Sequence, residues 1–246
     1  MSSDKKWKIT AVCPTVWRAW PFDEKVGVVV EVMDSCGHTF SDKARNLCVE
    51  TAIATVREAR KWLTNLPQEI LITVFADSNT VAETGDLGAA IAPGYIRWSA
   101  NPSFPGGVER VILDRFRSAL FHELHHVARG WVMYGYSSSL EVSLLDAIIS
   151  EGLATAFEHE MTGIQPPWGQ YPSEVESWVE ELLVLPPSAS YEEWMYEHPD
   201  GRRWIGYRAG TYIVEKAMSA SGLSSGEMAG LSAKQVLEMA GIQHFA

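Results

Sequence analysis

The chain has 246 residues, 46% of them hydrophobic, enough to build a sizeable core in one large domain or two subdomains, which excludes global disorder. Its 31 acidic residues outnumber 20 basic ones, giving a formal net charge of -11, and this argues against a nucleic-acid partner, whose backbone needs clustered Lys and Arg. Met1 to Lys8 is polar with no apolar stretch behind it, and no segment reaches the length of a membrane span, so a protein without membrane partners or an export signal is expected.

Residues 7–40 read as strand material, with Val26 to Met33 β-branched and bounded by Pro21 and Gly37. Cys13, Cys36 and Cys48 are odd in number and unpatterned in spacing, which fits reduced packing residues of a cytoplasmic protein. Ser41 to Leu66 reads as an amphipathic helix: Leu47, Ile53, Val56, Ala59 and Leu63 recur at helical spacing, Ser41 can cap it and Pro67 ends it. Ile70 to Phe75 is a strand, residues 77–90 a loop, and Gly94 to Ser99 a further strand. Beyond the Pro- and Gly-rich turn at Asn101 to Gly107 the pattern is helical: 108–129, 139–162 with Ser138 and Glu141 as a capping box, 171–185, a short Trp/Tyr-rich helix from Tyr191, 203–220 and 233–240. The expected fold is therefore α+β, with a mixed α/β subdomain over 1–107, a helical subdomain over 108–246 and a cleft between them.

His122-Glu123-Leu124-His125-His126 carries the chemistry. Three of the seven histidines fall in these five residues, inside a predicted helix that stops at Gly130. Residues i and i+4 lie on one helix face, so His122 and His126 can grip one zinc ion, and Glu123 beside them can take a proton from a water activated there. His125 is expected to pack near the site without binding metal.

A catalytic zinc keeps three protein ligands and an open position. The downstream candidates are Glu141, Glu151, Glu158, His159, Glu160 and Asp146. Glu151 is preferred, because Gly152, Ala154 and Ala156 beside it would let its helix approach the motif helix closely. If that helix starts near Ser139, Glu151 lies roughly 18 Å along it. Glu141 is then closer to level and stays the second choice; a start near Ser143 or Asp146, or a steep crossing, favours Glu151.

The segments Leu120–Val127, Ser150–Ala154 and Trp204–Gly210, in that order, resemble a bacterial family of predicted zinc-dependent proteases. Its motif order is similar to that of the gluzincins, thermolysin-like peptidases with a Glu as third ligand. The resemblance runs from about residue 70 to the end. It implies a zincin-like fold, zinc as cofactor, His122, His126 and Glu151 as its ligands, and Glu123 as general base. Many gluzincins have an Asp four residues after the ligand Glu, supporting a ligand His. Thr155 stands there in this chain, so the support must differ, with Asp114 and Asp146 as substitutes.

The expected function is a zinc metallopeptidase acting on peptide substrates. Its oxyanion needs a second donor besides the metal, with Tyr207 first in line, then His198 and Arg208. Strand 94–99 is expected to run beside the cleft as an edge and pair with an extended peptide, Tyr95 or Trp98 lining side-chain pockets. Two alternatives stand beside this: a zinc hydrolase of a non-peptide amide or other small substrate, which ten tryptophans would suit, and a non-catalytic binding module, against which an intact Glu123 argues.

Overall fold

A computed structural model describes residues 8–13, 16–20, 27–35, 37–133 and 143–243. Cys36, Ser138, Glu141 and His244 lie outside the described residues. The chain divides into two compact units, Met1–Gly135 and Tyr136–Ala246.

The first unit is built on a six-stranded sheet in the order β1-β2-β3-β4-β6-β5. Its strands are β1 (Lys8–Cys13), β2 (Val16–Trp20), β3 (Val28–Met33), β4 (Ile70–Ala76), β5 (Asp86–Ala92) and β6 (Tyr95–Ala100). β3, β4 and β6 run parallel, with Val30 opposite Ile72 and Ile72 opposite Ile96. These three side chains are fully buried, as expected where β-branched residues fill the middle of a covered sheet. Each contributes about 1.5–3 kcal/mol by leaving water.

Helix α1 (Asp42–Ala59) joins β3 to β4. The Ser41 side chain accepts from the Ala44 N–H at its start, as the sequence predicts. Ala44, Cys48, Ala52 and Val56 recur every four residues and are buried as one stripe. Burial pushes the Cys48 thiol up to about 12, so it behaves as a packing residue. The helix ends at Ala59, earlier than Pro67 suggests, and the Arg60 guanidinium donates to the Pro67 and Gln68 carbonyls beyond it.

β5 falls largely where the sequence predicts a loop, over 77–90. Its Gly88-Ala89-Ala90 core has little strand preference, but Pro93-Gly94, with Gly94 at φ 78, folds it back antiparallel onto β6. Consequently β6 is an interior strand and β5 is the edge, which corrects the expectation for 94–99. Trp98 is fully buried and donates its indole N–H to Asp86, so it does not fit the pocket-lining role expected of it, while Tyr95 is half-buried with its hydroxyl 3.2 Å from that of Thr73.

The long helical run after Gly106 has three parts: α2 (Gly107–Val111), a π-helical turn (Ile112–Phe116) and α3 (Arg117–Arg129). It packs against α1, β5 and β6, which is why the first unit extends to Gly135 instead of ending at 107.

The second unit holds α4 (Leu144–Thr162), α5 (Val175–Leu183), α6 (Tyr191–Met195), α7 (Ile205–Ser221) and α8 (Ala233–Met239). Ser143 caps α4 by accepting from the Asp146 N–H, so the described helix starts well after Ser139. Ile149, Leu153, Met195, Ile213, Val214 and Val236 fill this unit's core. A Cβ on Gly152 would lie 2.3 Å from the Gly210 carbonyl carbon, and one on Gly210 would lie 2.1 Å from the Ile148 oxygen. α4 and α7 therefore touch backbone to backbone. Within this unit, Gly152 beside Glu151 admits α7. No described helix is long and apolar enough to cross a membrane.

Candidate metal centre

Helix α3 carries the histidine motif, and every residue from Ser118 to Ala128 is buried. Gly130, at φ 75, ends the helix where the sequence predicts, and the Trp131 N–H bonds the His126 carbonyl. The last turn, which bears His126, is thereby fixed.

The i, i+4 spacing brings the Nε2 atoms of His122 and His126 to 3.0 Å. Two nitrogens each about 2.0–2.1 Å from a tetrahedral zinc are roughly 3.3 Å apart, so the pair is close to ligating separation. His122, His126 and Glu151 each offer a ligand atom, and these atoms lie within 4.8 Å of one another. Among the described residues this is the group of His, Cys, Asp and Glu side chains suited to hold a metal ion. Two imidazoles and a carboxylate are a donor set that zinc accepts. His125 is fully buried and outside the group.

The other third-ligand candidates have different roles. Glu158 is fully buried in α4, Glu160 accepts from the backbone and hydroxyl of Ser225, and His159 sits in the last turn of α4. Asp146 takes up the Ser143 hydroxyl, and Asp114 pairs with Arg110 on an exposed face. Thr155 is fully buried, its methyl against the place where Gly169 lacks a side chain.

Around Glu151 in its own unit stand two tyrosines that the sequence reading missed. Tyr191 and Tyr196 are 39% and 48% exposed; partial desolvation first, and the Glu151 charge next, push their hydroxyls up. Both therefore remain neutral O–H donors at ordinary pH. The signal is the pair of tyrosines in Tyr191-Glu-Glu-Trp-Met-Tyr196 after the capping Ser190, a segment the sequence marks only as a short Trp/Tyr-rich helix. Tyr207 is half-buried on α7, its ring 6.4 Å from that of Tyr196. His198 is held in a turn: its Nδ1 lies 2.9 Å from Asp200 and its ring 4.6 Å from Trp194. Arg208 lies over the Trp204 ring.

In the first unit, β5 contributes residues from a stretch whose composition predicts loop. Asp86 is buried, accepts from Trp98 and pairs with Arg115 of the π turn at 3.3 Å. Two residues on, Gly88 lies against the Glu123 side chain.

A buried helix with two imidazoles and a carboxylate in one turn is the arrangement of zinc-dependent hydrolases. Residues 46–238 match the model of a family described as predicted Zn-dependent protease (DUF2268). The chain belongs to that family, and its cofactor is zinc. Curated proteins gave no match. Among solved structures, the chain is similar to an aminopeptidase N family protein from Idiomarina loihiensis, with 12% identity and a TM-score of 0.49. The similarity covers 92% of this chain and 40% of that one, so the chain spans less than half of that protein's length.

Proposed function

We propose that the protein is a gluzincin-like zinc metallopeptidase, with His122, His126 and Glu151 as ligands and Glu123 as general base. The observation that carries this reading is the geometry of α3, where the imidazole pair stands at 3.0 Å and Glu123 is buried in the same turn. Zinc, when bound, supplies a Lewis acid that lowers the pKa of a water toward neutrality. Glu123 accepts a proton from the attacking water and delivers it to the leaving amine. Tyr207 donates to the oxyanion. His198 is second, since its ring is engaged by Asp200, and Arg208 is third.

Edge strand β5 favours a peptide over a small amide. The Asp86 and Ala90 carbonyls accept from the Val81 and Met133 N–H groups, while Gly85, of opposite parity, bonds toward Asn101 at the β6 end. By strand alternation, Gly88 presents its N–H and C=O on the same side as Asp86 and Ala90, where an extended peptide can pair.

Elemental analysis and turnover on a peptide library test the assignment. Wild-type protein should carry about one zinc, and His126→Ala and Glu151→Ala should lose it. Glu123→Gln should keep zinc and lose on the order of 10²- to 10⁴-fold in rate. Equal zinc in wild type and His126→Ala would remove the metal site, and wild-type turnover by Glu123→Gln would remove the mechanism.

A further inference from the structure

The Gly88 backbone does not need a glycine for its own conformation, since its φ lies outside the left-handed region. The need is steric. A methyl group at this position would stand 2.6 Å from Glu123 Oε1, 3.0 Å from its Cγ and 3.1 Å from its Cδ. Real side chains do not approach so closely, so any residue but glycine must displace either the strand or the carboxylate.

The strand is poorly placed to yield. Asp86 and Gly88 are i, i+2 neighbours and face the same side. Asp86 is fastened to Arg115 and to the Trp98 indole. Farther along, the Ala90 carbonyl accepts from the Met133 N–H beyond the end of α3. The strand is thus attached on either side of Gly88 to the helical run that carries Glu123 or to the segment just after it. Glu123 is itself buried.

We infer that Gly88 is a positioning residue: its missing side chain lets β5 form a wall on which the Glu123 carboxylate rests. The strand then has two duties, its outer edge pairing with the peptide and its inner face fixing the group that moves the proton. The catalytic half of this inference rests on the metallopeptidase reading; the contact itself does not.

A thermal double-mutant cycle on the full chain, Gly88→Ala with Glu123→Ala, reads the contact without a substrate. Gly88→Ala should lower Tm by roughly 4 to 8 °C in the wild-type background. In the Glu123→Ala background, where the obstructing atoms are gone, that loss should vanish. Gly230→Ala is the control, because a methyl there meets nothing within 4 Å. If Gly88→Ala does not fold alone, its folding once combined with Glu123→Ala supports the contact equally. An equal loss in both backgrounds, failure to fold in both, or no loss in either overturns it. On a peptide that the wild type cleaves, Gly88→Ala should retain zinc and KM while kcat falls by on the order of 10². Unchanged kcat, or a matching loss of zinc, overturns the positioning role. Absence of any peptide turnover by wild type counts against the metallopeptidase reading alone, and the thermal cycle still decides the contact.

Discussion

Tyr207 is where one hydroxyl separates two roles. The ring packs on the core of the second unit, so its bulk has structural value whatever the O–H does. Phe keeps that bulk. If the hydroxyl serves the oxyanion, Tyr207→Phe should lower kcat by roughly 10² with KM and melting temperature nearly unchanged. A packing-only tyrosine would show the reverse, intact kcat and a stability change of about 1 kcal/mol. Parallel Phe variants of Tyr191 and Tyr196 make the comparison sharper, because both phenols feel the Glu151 charge. The histidine motif was legible at this scale because its geometry is local: four residues of helix suffice to stack His122 over His126. The tyrosines near Glu151 were not, because their relation to it depends on how α6 packs against the rest of its unit.

Between elements, the decisive contact is glycine on glycine. α4 and α7 meet where Gly152 and Gly210 leave no side chain, and the opposing atoms are backbone, which cannot turn aside. Gly152→Ala or Gly210→Ala should each cost about 1–3 kcal/mol or more. The double variant should cost less than the sum, since helices already held apart do not clash twice; thermal melts of the three proteins check this. Gly152→Ala should also weaken zinc binding, as Glu151 is its neighbour in the chain. This contact gives a physical reason why Ser150–Ala154 and Trp204–Gly210 go together as motifs. β5 was illegible for a related reason. Gly88-Ala89-Ala90 has no strand signature of its own, and its structure comes from pairing with β6 and from the Asp86–Arg115 attachment. β3, β4 and α1 could be read because their burial follows their own periodicity.

For the whole molecule, zinc is a ligand of the folded state and should stabilise it. At free zinc a hundredfold above Kd the gain is about 2.7 kcal/mol, or roughly 5 to 10 °C in Tm for a chain of this size. Chelation should remove that gain in wild type and change little in His126→Ala; equal melting with and without chelator in wild type would contradict it. The π turn at Ile112–Phe116 has a wider bearing on how the chain tolerates change. Leu113 on it is 63% exposed and looks dispensable. Each residue advances a helix by about 100°, however, so the count of residues between Arg115 and His122 works like the phase of a gear train. A substitution at Leu113 leaves the phase alone. A one-residue deletion from Arg117 to His122 would rewind α3 by about 100° and turn its metal-binding face away from the face that clasps Asp86, whereas one inside the π turn would regularise it to α-helix and keep the phase. Single-residue gaps should therefore be far more damaging from Arg117 to His122 than point changes, even at solvent-facing positions.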